Sequence, residues 1–278
     1  MAALRLLSTG VLIGLAWALA LVLTIVPAAV VRRAAQTAQK SLCRLTCKSL
    51  GIAVESSGEL PTGAPILVVA NHISWTDIIA LGSLSPLVFV ARHDLAGWPV
   101  LGTLARAYGA LFVERGRRRL IRDVNRQMAS KMAESHVVAL FPEATTGDGT
   151  RLRRFHSPHF AAASDLLSKD PSKGVVLVVP VAIAYTRRRG LPLGRTGRAS
   201  IAWYGDTTFA PHLLDLTRGG SVTCQVRILD PIAFDRNTNR KTVARTAAEA
   251  IRIAFLGEVL AVPGNEAASY VLSRRQAV

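Results

Sequence analysis

Pro65-Ile66-Leu67-Val68-Val69-Ala70-Asn71-His72-Ile73-Ser74-Trp75-Thr76-Asp77 is an apolar run that ends in a histidine and, five residues later, an aspartate. The apolar part reads as a buried parallel strand, and Thr76-Asp77 opens a helical stretch over residues 78–82. The pair therefore falls at the carboxyl end of a strand, the edge of an open α/β sheet at which ligands bind. A neutral imidazole placed there can take a proton from a hydroxyl as it attacks. A neighbouring carboxylate fixes the tautomer and stabilises the imidazolium that forms. Alone, the spacing is also that of an aspartate capping a helix beside an unrelated loop histidine.

Three further segments end in the same way. Val137-Val138-Ala139-Leu140-Phe141 runs into Pro142-Glu143-Ala144-Thr145-Thr146-Gly147, where Pro142 lacks a ladder donor and stops the strand. Gly109 to Gly116 reads as a strand ending in Glu114 and Arg115, and Val178 to Ile183 as an apolar strand interrupted by Pro180. Strands also read at Leu87–Ala91, Ala199–Trp203 and Ser221–Leu229, with helices over Lys40–Leu50, from Trp98, over Arg118–Ser135 and Pro158–Ser168, and from Arg240 to about Leu260. This mixture indicates an α/β fold, a sheet flanked by helices.

In order and separation, the four segments resemble the blocks of the glycerolipid acyltransferase family, which includes the 1-acylglycerol-3-phosphate acyltransferases, over residues 50 to 190. The resemblance implies that His72 is the general base and Asp77 its orienting partner, with Asn71 supporting the loop. It further implies that Asn71, Gly109, Phe112, Arg115, Phe141, Pro142, Glu143 and Thr145 form the substrate-binding group around the acceptor. The expected reaction moves an acyl group from acyl-CoA or acyl carrier protein to a lysolipid hydroxyl, most directly lysophosphatidate to phosphatidate, with no cofactor and no metal.

Two departures bear on the acceptor. Family members read Phe-Pro-Glu-Gly-Thr-Arg where this chain has Ala144 for the glycine and Thr146 for the arginine, a residue usually taken as a phosphate contact. Arg151, Arg153 and Arg154 stand a few residues on and either supply that charge or form a solvated basic face. Trp203-Tyr204-Gly205-Asp206, with Phe209, Pro211 and His212, resembles a segment of a bacterial branch that includes lyso-ornithine lipid acyltransferases. Lyso-ornithine lipid is thus the alternative acceptor, and an aromatic turn packed on the core is the alternative reading of the segment.

Other chemistries fit less well. A Ser-His-Asp hydrolase would need a Gly-x-Ser-x-Gly elbow, which is absent, and Ser74 sits too close to His72 on one loop for a triad. His156 and His159 with Asp165 lack a zinc-binding pattern, and Cys43, Cys47 and Cys224 suit reduced thiols rather than a disulfide framework. A catalytically silent membrane-surface protein would have no need of the His72 and Asp77 pair.

Half of the 278 residues are apolar, and much of that weight is N-terminal. No charge occurs from Leu6 to Val31, and Val11 to Val31 is long enough for roughly 30 Å of hydrocarbon. The expected organisation is a transmembrane anchor over 1–33, an acyltransferase domain over 34–262 and a tail over 263–278. Arg5 alone precedes the apolar run while Arg32, Arg33, Lys40, Arg44 and Lys48 follow it, so the positive-inside rule leaves the body in the cytoplasm beside the inner membrane. A cleaved signal peptide is the competing reading. The net charge of +16, with clusters at 115–126, 151–154 and 187–189, asks for an anionic partner. No nucleic-acid-binding motif accompanies it, which points to an anionic membrane surface and to acidic acyl donors.

Overall fold

The computed structural model describes residues 2–25, 28–98, 101–107, 109–113 and 118–260. In chain order its first half comprises α1 (Ala2–Ile25), α2 (Ala28–Leu50), β1 (Ile52–Ser57), β2 (Ile66–Ala70), α3 (Thr76–Leu84), β3 (Val88–Arg92), α4 (Leu101–Ala107), β4 (Leu111–Val113), α5 (Arg118–Ala133) and β5 (Val138–Leu140). There follow α6 (Ala161–Lys169), β6 (Val176–Arg188), β7 (Leu191–Pro192), α7 (Arg195–Ala199), α8 (Phe209–Arg218), β8 (Val222–Ile228), β9 (Ile232–Phe234) and α9 (Arg240–Leu260).

The strands join in one mixed sheet of order β1-β8-β6-β2-β5-β3-β4, with β7 and β9 added to β6. β2 is buried along its whole length because it lies between β6 and β5, both parallel to it. Such a strand needs apolar residues on both faces, which is why Ile66 to Ala70 shows no alternation. The register pairs Val69 with Leu140, so the loops that leave β2 and β5 emerge side by side at one sheet edge. Connections β2-α3-β3 and β4-α5-β5 step across the sheet in opposite directions. Right-handed crossovers then set α3 on one face and α5 on the other. α2 packs on α3, whereas α6 packs on α5, and α9 packs on β6.

Several expected elements shift. Of the strand expected over 109–116, Leu111–Val113 form β4 and residues 114–116 lie outside the described residues, while β6 continues through Pro180 to Arg188 instead of breaking. Pro180 stands opposite Val69, and its carbonyl still accepts from the Leu229 amide at 3.0 Å. Residues 199–203 are not a strand: α7 ends there in a turn. Part of the basic run at 187–189 also serves the fold. Arg188 and Arg189 donate to the Gly219 carbonyl at 3.0 and 3.1 Å, where cations complement the end of α8.

The N-terminus differs from a single-pass anchor. α1 and α2 form an antiparallel pair in which Ser8 and Thr9 share hydrogen bonds with Ser49 at 2.8 and 2.6 Å, and the Arg5 guanidinium lies against Gly51. A helix that crossed the bilayer once would carry residue 5 to the opposite side from residue 51. Among the described residues no helix is long and apolar enough to cross a membrane. Most side chains of the apolar run from residue 19 to 34 lie outside the described set. α2 approaches α3 closely where Cys43 faces Gly82: a Cβ there would stand 2.7 Å from the sulfur. Cys43, Cys47 and Cys224 are free thiols, and burial pushes the first two up to about 12.

Candidate active site

Asp77 is fully buried at the start of α3, and its carboxylate is surrounded by donors. Oδ2 accepts from His72 Nδ1 at 2.8 Å and from the amides of Ile73 and Ser74 at 2.6 and 2.9 Å. Oδ1 accepts from the Tyr185 hydroxyl at 2.8 Å, and Thr76 donates to that same hydroxyl at 2.5 Å. A carboxylate held by this many donors is satisfied without water. It also leaves His72 one orientation: Nδ1–H on Asp77, Nε2 on the far side of the ring. His72 keeps 16% of its side-chain surface exposed, and its Nε2 has no partner among the described residues. The ring stacks on Phe141 with centroids 3.9 Å apart and planes 12° from parallel. Phe141 thus bars the imidazole from rotating away from its carboxylate.

The other expected site residues divide into two groups. Asn71 is buried and exchanges two hydrogen bonds with the backbone of Ile183, at 2.9 and 2.8 Å, so it ties the end of β2 to β6. Pro142 and Glu143 are buried in the turn after β5, beside His72. Burial pushes the Glu143 carboxyl up to about 8, against the pull of the Arg153 and His72 amides, while the Asp77 charge pushes the same way as burial. Its Oε1 has no hydrogen-bond partner. Thr145 is half-buried on that turn, and Gly109 and Phe112 lie half-buried at and before β4. No hydrogen bond or ring contact joins these three to His72 among the described residues. Arg115 lies outside the described residues.

Ala144 takes a positive φ of 60°, the conformation that a glycine would adopt without strain. Thr146 turns its hydroxyl to the Trp203 carbonyl, and the Trp203 amide donates to the Ile73 carbonyl at 2.9 Å. The segment around Trp203 therefore braces both catalytic loops. His212 completes the brace from α8: its Nδ1 accepts from Trp75 Nε1 at 3.0 Å, and its Nε2 faces the Ile201 carbonyl at 3.1 Å. An indole N–H only donates, so His212 here is neutral with its proton on Nε2. Burial lowers its pKa and favours that form. Ser74 is buried with its hydroxyl unpartnered, so it steadies the loop through its amide and is no accessible nucleophile.

Sequence reasoning missed Tyr185, Thr76 and the brace. One signal was present: a tyrosine within the buried run Val181 to Ala184 needs a partner for its hydroxyl. No group of His, Cys, Asp and Glu suited to a metal occurs among the described residues.

A histidine oriented by a buried carboxylate, with its outer nitrogen unpartnered among the described residues, has the arrangement that general-base chemistry requires. Residues 51–184 match the Acyltransferase family model. The lyso-ornithine lipid O-acyltransferase of Rhizobium meliloti (strain 1021) is 41% identical over 209 residues, covering 75% of this chain and 71% of that protein. The 1-acyl-sn-glycerol-3-phosphate acyltransferase of Neisseria gonorrhoeae is 36% identical over 147 residues, 53% of this chain and 52% of that one. The crystal structure of the 1-acyl-sn-glycerophosphate acyltransferase PlsC from Thermotoga maritima shares the fold, with TM-score 0.50 at 18% identity over 90% of this chain and 96% of that chain. The chain belongs to the acyltransferase family and is an O-acyltransferase that takes an acyl donor and a lysolipid acceptor.

Proposed function

We propose that this protein O-acylates lyso-ornithine lipid, taking the acyl group from acyl-CoA or acyl carrier protein. The observation that carries the reading is the relationship over three quarters of the chain to the Rhizobium meliloti lyso-ornithine enzyme, against about half of the chain for the lysophosphatidate enzyme of Neisseria gonorrhoeae. Lysophosphatidate, the acceptor expected first, becomes the second reading. Thr146 agrees with this order: the family arginine is missing, and the hydroxyl in its place is occupied by Trp203.

In the reaction, His72 Nε2 takes the proton of the acceptor hydroxyl as its oxygen adds to the thioester carbonyl. The C–S bond then breaks and the departing sulfur receives that proton from the imidazolium. Asp77 keeps the Nδ1–H in place through both steps. No acyl-enzyme forms.

Attachment to the membrane runs through the α1–α2 hairpin lying in one leaflet rather than a single span. The return of Arg5 to Gly51 supports this form, with the catalytic body on the cytoplasmic side.

The test is acyl transfer by purified protein in detergent, with each donor against each acceptor. At least a ten-fold higher kcat/KM for lyso-ornithine lipid is expected, and a preference for lysophosphatidate would refute the assignment. Thr146→Arg adds a cation near the ornithine amine and should depress transfer to that acceptor; a gain would argue for a phosphate.

A further inference from the structure

Arg153 stands at the junction of two sites. Its Cγ and the His72 carbonyl both lie 3.7 Å from where a Cβ on Gly147 would be, so it borders the catalytic turn. It also lines an open groove of about 1140 Å³ between the 152–157 loop and α9. The loop brings Arg154 and the apolar Leu152 and Phe155. α9 buries Val243, Ala247, Ile251 and Phe255 toward the sheet and turns Lys241, Arg245, Arg252 and Ile253 to the groove. Arg252 is paired with Glu249 at 2.5 Å, but Arg154, Lys241 and Arg245 have no acidic partner among the described residues. Ile253 is 54% exposed within this basic surround.

We infer that the groove docks the acidic acyl carrier protein that presents the thioester to His72, an inference that rests on the donor reading above. Size favours a protein over a nucleotide, since Lys241 and Arg252 are about 16 Å apart along the helix axis. An exposed isoleucine in a lining of cations and one acid, Glu249, matches a protein interface with an apolar centre and a charged rim. Position argues against a membrane. α9 packs on β6 and on the 158–160 turn that also meets α5 and α6, whereas the α1–α2 hairpin packs on α3. Charge argues against the chain's own tail, because residues 263–278 hold Glu266 against Arg274 and Arg275.

The test uses the full chain in detergent, with Lys241→Glu and Arg245→Glu combined, both exposed and outside the catalytic loops. KM for the acyl carrier protein should rise at least ten-fold while KM for acyl-CoA stays within two-fold. The Gln pair should fall between wild type and the Glu pair. Equal KM values for variant and wild type, or a parallel rise for both donors, would overturn the inference. Loss of binding to vesicles containing phosphatidylglycerol with the carrier KM unchanged would reassign the groove to the membrane. A carrier KM that falls when residues 263–278 are removed would assign it to the tail. If the wild type transfers from neither donor, the proposed function fails on its own account. The groove is then judged by fluorescence anisotropy of labelled acyl carrier protein: a Kd at least ten-fold weaker for the Glu pair is expected, and equal Kd values would refute docking.

Discussion

Replacing Glu143 by Gln should make the protein more stable, and only above mildly acidic pH. The carboxyl is buried with one oxygen unpartnered, and its pKa is raised from 4.5 to about 8. Between those values the folded chain keeps a proton that the unfolded chain has released. Folded molecules then bind more protons than unfolded ones, so stability falls as pH rises through this window. A shift of that size corresponds to a ceiling of about 5 kcal/mol. We expect a realised difference of at least about 2 kcal/mol, the cost of a buried charge short of a partner. Glutamine fills the same space without ionising. Urea unfolding followed by tryptophan fluorescence in detergent, at about pH 5, 6.5 and 8.5, measures the difference between the two proteins directly. Near pH 5 the curves should almost coincide. The variant's advantage should grow to pH 8 and then level off. A constant offset across the range, or an advantage that shrinks as pH rises, would show that burial of Glu143 does not govern its proton.

Tyr185→Phe removes one of the four donors to Asp77 and strands Thr76, and should cost about 1–3 kcal/mol in stability with a clear drop in kcat at little change in KM; an unchanged kcat would count against the tyrosine as a positioning residue. Trp75→Phe and His212→Phe should be non-additive by about 0.5–1.5 kcal/mol in a double-mutant cycle, whereas simple additivity would mean the bond between them stabilises nothing. Ala144→Gly releases a left-handed alanine and should raise stability by up to about 1 kcal/mol once the added freedom of the unfolded chain is subtracted, and a lowered Tm would contradict that.

How far the sequence carried each part has a physical basis. β2 and β5 were legible because strands buried on both faces must be apolar throughout, and the His72 and Pro142–Glu143 loops followed as strand ends. α9 was expected over the span it occupies, Arg240 to about Leu260. By contrast, β1 carries exposed Glu55 and Ser56 and finds its place only through parallel pairing with β8, a contact made far along the chain. α8 begins at Phe209, Ala210 and Pro211, which carry no helical period of their own. For the site, spacing revealed the histidine and carboxylate but not Tyr185, whose hydroxyl reaches Asp77 only through sheet register. Asn71 was placed near substrate by resemblance, and geometry gives both its side-chain polar atoms to Ile183.

The two bonds from Asn71 to Ile183, and that from Tyr185 to Asp77, close loops of 112 and 108 residues. At a synthesis rate of roughly 5–20 residues per second, such loops stay open for roughly 5–20 s after the histidine has left the ribosome. Over that interval the aspartate lacks its tyrosine and the strand end lacks its amide lock. The nascent chain carries His72 beside Asp77, but with that carboxylate short of one of its four donors until β6 has docked. The surroundings of the histidine and carboxylate are therefore completed only when β6 docks, which ties the geometry of this site to assembly of the sheet.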